Sequence, residues 1–468
     1  MVRKCVLVLT LLPLATGIFT LLGAGSGRAG DQDDWRRAQS GPVKLLKTIP
    51  VPVSAVNGTA GAMYSFDISF VDQSTQTYYL ADRSNKSVDV VDARTDTFLG
   101  QIAPNNGHGP FAGFVPCVPP GGANDCAGPN GVVAAFPWLF VTDAPSRVLS
   151  FDLRTTPPKT VSEVFTRPGE KTRADELAYD PRDGLLLVIN NASDPPFGTL
   201  IQVNKTTGAL TVVKNIDFDA AHGVDATNGA EQPVWDPGTG KFYLSIPQIG
   251  PTASHGGVLR ISTSGVVEAT YPVEFCSPAG LALGPRQDLL VGCNTVFDTA
   301  GGVWTGNADR DTNSAAPRYV ILDAKSGKID KTIMGVGPGD EVWFNRGDGN
   351  YYTASSGSPL APNAITPPRP PVGTAASAPP LTAQGAAVLG VIDAERQKLL
   401  QLVPTLNVPA RVAPAPNPHP AGTAHSVAAN AGNNHVFVPL AANNAFPDCL
   451  HGCIAVFGRP SSGDDEDD

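Results

Sequence analysis

The chain has 468 residues, a formal net charge of −10, 49 glycines, 44 prolines and only 16% charged residues. That composition favours turn-rich β-structure and excludes a helical bundle. With no basic stripe, it also argues against nucleic acid and anionic membrane surfaces as partners.

The N-terminus reads as an export signal over residues 1–29. Arg3 and Lys4 precede an apolar run from Val6 to Leu22, and small residues lead to Ala29 and Gly30. Cleavage there leaves a chain with no membrane span, secreted or periplasmic. Residues 30–43 read as a flexible linker, 44–458 as the folded domain, and 459–468 as a disordered acidic tail ending in DDEDD. Export also removes Cys5 and leaves an even set: Cys117, Cys126, Cys276, Cys293, Cys449 and Cys453. Proximity favours pairing each with its neighbour in that order, as disulfides of an oxidising compartment.

From Asp67 onward one unit repeats. Its inner hairpin begins at Asp67, Asn130, Asp175, Glu231, Ala279, Asp340 and His425, and ends at Asp82, Asp143, Asn190, Ile246, Asn294, Ser355 and Leu440. A third strand follows each time, as in VDVVDARTD (Val88–Asp96), LIQVNKTTG (Leu200–Gly208) and YVILDAKSG (Tyr319–Gly327). Each alternates apolar and polar residues and then meets a turn-forming Asp, Asn or Ser. Seven copies at this spacing predict an all-β fold, a seven-bladed β-propeller of four-stranded blades. The chain stops after a third strand near Phe457, while LLKTIPVPV (Leu45–Val53) stands alone at the start. The N-terminal strand is therefore expected to close the last blade, which removes exposed sheet edges.

The third strands resemble the YVTN-type propeller repeat, best in YLADRSNKSVDVVDARTDTFLGQI (Tyr79–Ile102). EQPVWD at Glu231 and NGVVAA at Asn130 resemble two ligand strands of the SMP-30/gluconolactonase superfamily. That resemblance implies that the first residue of each inner hairpin points into the central channel. It also implies a divalent-cation site there with Glu231 and Asn130 as metal ligands, and the shared hairpin register adds Asp175 and Asp67 to them. The superfamily has six blades and a different ligand order, so the resemblance supplies a metal site rather than an activity.

Six of the seven hairpin-start residues are oxygen or nitrogen donors, where about one would be expected from the composition. Four carboxylates at one focus must bind a cation, take up protons or stay solvated. Oxygen donors suit Ca²⁺ foremost, and a histidine among them admits Zn²⁺ or Mn²⁺. The long segments 103–129, 247–257, 295–318, 357–387, 406–424 and 441–452 all fall at one end of the blades, the end where the donor ring opens. They carry His108, His255, His419 and His451, a donor-rich NADRDTN (Asn307–Asn313) and a Pro-rich stretch (Ile365–Pro380). Long loops on one end of a rigid scaffold mark a ligand face.

Two functions fit. One is an exported, monomeric propeller that binds a protein, glycan or small molecule on its loop face. The other is a metal-dependent hydrolase of lactonase or esterase type, with Asp340 or His425 as general base. The sequence leaves open whether the chain is an enzyme.

Overall fold

The alternation of apolar and polar residues, broken by Asp- and Asn-led turns, folds into seven sheets of four antiparallel strands each. The computed structural model describes residues 41–460, apart from 60, 116, 118–123, 305–314, 338, 359–385, 406–424 and 444–445. The export signal, residues 30–40 of the linker, NADRDTN, the Pro-rich stretch, His419 and the DDEDD tail lie outside the described residues.

Blade 1 shows the pattern, with strands Ser69–Asp72, Thr77–Asp82, Ser87–Asp92 and Thr97–Ile102 from the axis outward. Its inner turn forms because Asp72 Oδ1 accepts from the Ser74 backbone N–H at 2.8 Å. Asp180, Asp236, Asn345 and Asn430 do the same two residues ahead in blades 3, 4, 6 and 7, at 2.8–3.1 Å. Blade 7 draws its outer strand from the N-terminus. Lys44–Pro50 pairs antiparallel with Cys453–Gly458, from Lys44 opposite Gly458 to Pro50 opposite Cys453. The expected closure is therefore observed.

The core is divided into seven apolar layers, one between each pair of neighbouring blades. Leu389 and Val391 of blade 6, for example, pack on Val436, Val438 and Phe457 of blade 7. Complete burial of such a side chain stabilises by about 1.5–3 kcal/mol. A cut between any two blades exposes both faces of one such layer, and strand Lys44–Pro50 ties the first and last parts of the chain into the closed ring.

The three neighbouring cysteine pairs are joined as disulfides: Cys117–Cys126, Cys276–Cys293 and Cys449–Cys453. Such pairs suit an oxidising, extracellular-type environment. Among the described residues no helix is long and apolar enough to cross a membrane. The described parts of the long connections gather at one end. They run between outer and next inner strands, or between second and third strands. Three more belong with them, residues 51–68, 166–176 and 218–232, each leading into an inner strand.

Candidate functional site

The hairpin-start residues of the first four blades reach the axis through one repeated backbone geometry. In blades 1 to 4 each stands two residues ahead of its inner strand. Each donates its N–H to the second strand: Asp67 to Ala81, Asn130 to Thr142, Asp175 to Ile189 and Glu231 to Ser245, at 2.8–2.9 Å. This shared register brings Asp67, Asn130, Asp175, Glu231, Asp340 and His425 to one focus. Blade 5 contributes Ala279 instead, followed by Gly280, where a Cβ would lie 2.0 Å from the Asp340 carbonyl oxygen. Gly131 has the same relation to the Asp175 carbonyl, at 2.4 Å. Close approach of neighbouring backbones fixes glycine at both places.

Two arginines that the sequence reading had not singled out supply the counter-charge. Arg83, 2% exposed, forms an ion pair with Asp67 and donates Nε to Asn130 Oδ1 at 2.9 Å. Asn130 is held in turn by donating to the Ala127 and Ala174 carbonyls, both at 2.9 Å. Arg173 pairs with Asp175 at 2.8 Å. His425 closes the circle, with Nε2 2.7 Å from Asp67 and Nδ1 2.7 Å from Asp340.

The protonation states follow from these contacts. Burial opposes charge on Asp67, but Arg83 and then His425 overcome it and hold the carboxyl well below the usual range. Burial likewise opposes charge on His425. The carboxylates of Asp340 and Asp67 outweigh it and raise the imidazole well above its ordinary value, so both ring nitrogens carry protons and donate. Asp175 is pushed up to about 6 by burial, against the pull of Arg173. Glu231 is pushed up to about 8, by burial first and then by Asp340 and Asp175.

A second row of carboxyls lies one residue further along two of the strands. Glu176 and Glu341 are 6% and 3% exposed and hydrogen-bond to each other. Gln232 stands at the matching place in blade 4, donating to Glu341 Oε2 at 2.8 Å and accepting from the Leu281 N–H. Burial, and then the other carboxyls, raise both glutamates well above the ordinary range. A signal for this row was present in Asp175-Glu176, Glu231-Gln232 and Asp340-Glu341, where an acid is followed by an acid or amide.

Protein cations and proton uptake both relieve the crowding of these carboxylates. Among the described residues no group of three or more His, Cys, Asp or Glu side chains is arranged to hold a metal ion. Both nitrogens of His425 are engaged by carboxylates, while Arg83 and Arg173 pair with Asp67 and Asp175.

No family model matches the chain, and no curated protein matches it. Solved structures do. A Kuenenia stuttgartiensis hydrazine synthase chain aligns over 88% of this chain and 98% of its own, with 13% identity and a TM-score of 0.55. The Neurospora crassa Pan2 WD40 domain aligns over 89% of this chain and 95% of its own, with 9% identity and a TM-score of 0.53. The likeness is one of fold. At this identity it carries no activity across.

Proposed function

We propose that this chain is an exported binding propeller that captures a partner, protein or glycan, on its loop-bearing face. The observation that carries this reading is the self-compensated ring beneath that face. Arg83, Arg173 and His425 meet the charge of the axial carboxylates, so the ring works as a rigid buried frame for the loops. Cys117–Cys126 closes a turn within one of the loops and Cys449–Cys453 ties the end of another to its third strand, which reduces the ordering a partner must impose. The disulfides and the N-terminal basic–apolar–small pattern support export. The YVTN-like strands support a scaffold role.

The likeness of EQPVWD to a metal-ligand strand supports the hydrolase alternative, and one experiment separates the two. Full-length protein would be cross-linked to extracellular material of its host, and metal content and chelator-sensitive lactone or ester turnover measured on the same preparation. Cross-links should fall on segments 103–117, 218–232, 247–257 and 441–452. Cross-links confined to the short turns of the opposite face would overturn the reading. So would a stoichiometric divalent ion with chelator-sensitive turnover.

A further inference from the structure

The other end of the channel is built differently. A cavity of about 500 Å³ runs from the second carboxyl row to the mouth formed by the short inner turns. Its walls are apolar and aromatic, with Phe70, Tyr179, Val234, Leu283 and Trp343 among them, all half-buried. Phe70 and Trp343 meet edge to face, with ring centroids 5.4 Å apart. The volume is in the range of small-molecule sites.

Three acidic groups mark this space. Glu176 lines its inner end, in contact with Glu341. At the mouth Asp72, 5% exposed, also lines it. Asp72 Oδ1 is used by the turn at Ser74, but its Oδ2 is buried and has no hydrogen-bond partner. The one basic residue lining the cavity, Arg346, is exposed at the rim. A buried acceptor without a donor, as at Asp72 Oδ2, is costly.

We infer that this cavity binds a small organic ammonium ion, its N–H groups at Glu176 and its apolar body between Phe70, Tyr179 and Trp343. The chemistry matches on three counts. Two carboxyls in contact are held together by a proton, and an ammonium group replaces that proton while offering more donors. The aromatic rings offer a flat apolar body large contact area and preferred edge and face packing. The remaining wall is apolar and takes a hydrocarbon body. The site is distinct from the loop face, so it stands or falls separately from the partner-binding reading.

The test is calorimetric titration of full-length protein with three probes of one shape: phenethylamine, the neutral 2-phenylethanol and the anion phenylacetate. Phenethylamine should bind at least tenfold more tightly than the alcohol, and phenylacetate should not bind. Amine affinity should rise from pH 5.5 to 7.5 as the proton shared by Glu176 and Glu341 is displaced more readily. Glu231, Asp175, Asp340, Asp67 and His425 are the other charged groups that act on this pair. Glu176→Gln should cost at least tenfold in amine affinity and leave the alcohol unchanged. Should that variant fold poorly, Trp343→Ala at the wall provides the second reading, with the same loss expected. Equal binding of amine and alcohol, no amine binding at millimolar concentration, or full affinity in both variants would each overturn the proposal.

Discussion

The two ends of the channel differ in how they treat buried charge. At the loop-bearing end Asp67 and Asp175 each have an arginine, and His425 ties Asp67 to Asp340. At the turn-bearing end Glu176 and Glu341 have mainly each other, and Asp72 keeps an oxygen with no donor. The same inner strands serve both ends. A propeller axis therefore separates its tasks along the strand: the first residue fixes the blades to one another, and the residues after it form a space to be filled. Perturbing the first end should alter stability, and perturbing the second should alter binding.

The largest expected effect is at Arg83. Arg83→Met removes the cation from a carboxylate that stays fully buried, and loss of one partner of such a pair costs about 3–5 kcal/mol. Urea unfolding of the variant should show that loss. The double variant Arg83→Met/Asp67→Asn should recover most of it, because no uncompensated charge is left. If Arg83→Met unfolds like the parent protein, the ring is not held by charge and the contrast between the two ends fails.

Next is the Cys276–Cys293 disulfide, which joins the first two strands of blade 5, the blade that brings no donor to the ring. Its sequence separation of 17 corresponds to about 3 kcal/mol of loop-closure entropy, against about 2 for the separation of 4 at Cys449–Cys453. Serine substitution of each pair, followed by thermal unfolding, should reproduce that order. A larger loss at Cys449–Cys453 would place the strain on the loops rather than on the ring.

Glu231 gives a pH-dependent test of the same end. Its carboxyl is pushed up to about 8 in the folded protein, while the unfolded chain releases the proton near the ordinary value of 4.5. Between those values the folded state binds the extra proton, so stability falls as pH rises from about 4.5 to 8. At about 1.4 kcal/mol per unit, and after solvent screening, the fall attributable to Glu231 is about 2–3 kcal/mol. Glu231→Gln should flatten that part of the profile. His425 adds a loss of the same sign at higher pH, as its raised imidazole finally deprotonates.

Much of this architecture was legible in the residues. The Asp/Asn turns and the two-residue period placed all seven blades, because both signals are local. The hairpin ends at Asp82, Asp143, Asn190, Ile246 and Leu440 coincide with the ends of strands in the structure. The convergence of six donors on the axis followed from the shared hairpin register together with the family resemblance that places the first residue in the channel. The partners of those donors did not, because Arg83 follows a second strand and Arg173 precedes an inner one. Neither position belongs to the repeated pattern. Their need could have been read from charge, since crowded carboxylates require cations, but their identity depends on contacts between residues far apart in the chain. The aromatic wall was hidden for a related reason. Phe70 and Trp343 look like ordinary strand residues until the ring closes and sets blade 1 against blade 6 across the channel.

The smallest expected effect on stability is at that wall, and it is the sharpest separation of the two ends. Trp343 is half-buried and packs edge to face on Phe70. Such a pair contributes about 0.5–1.5 kcal/mol beyond its buried area, and the indole is already partly in contact with solvent. Trp343→Ala should therefore cost only about 1–2 kcal/mol in urea unfolding, below the loss at Arg83. It should nevertheless reduce phenethylamine affinity at least tenfold. Arg83→Met should do the reverse, leaving amine affinity within twofold in whatever fraction remains folded. If Trp343→Ala destabilises the fold as much as Arg83→Met does, the aromatic wall is core rather than a place for a ligand, and both ends of the channel serve only to hold the blades together.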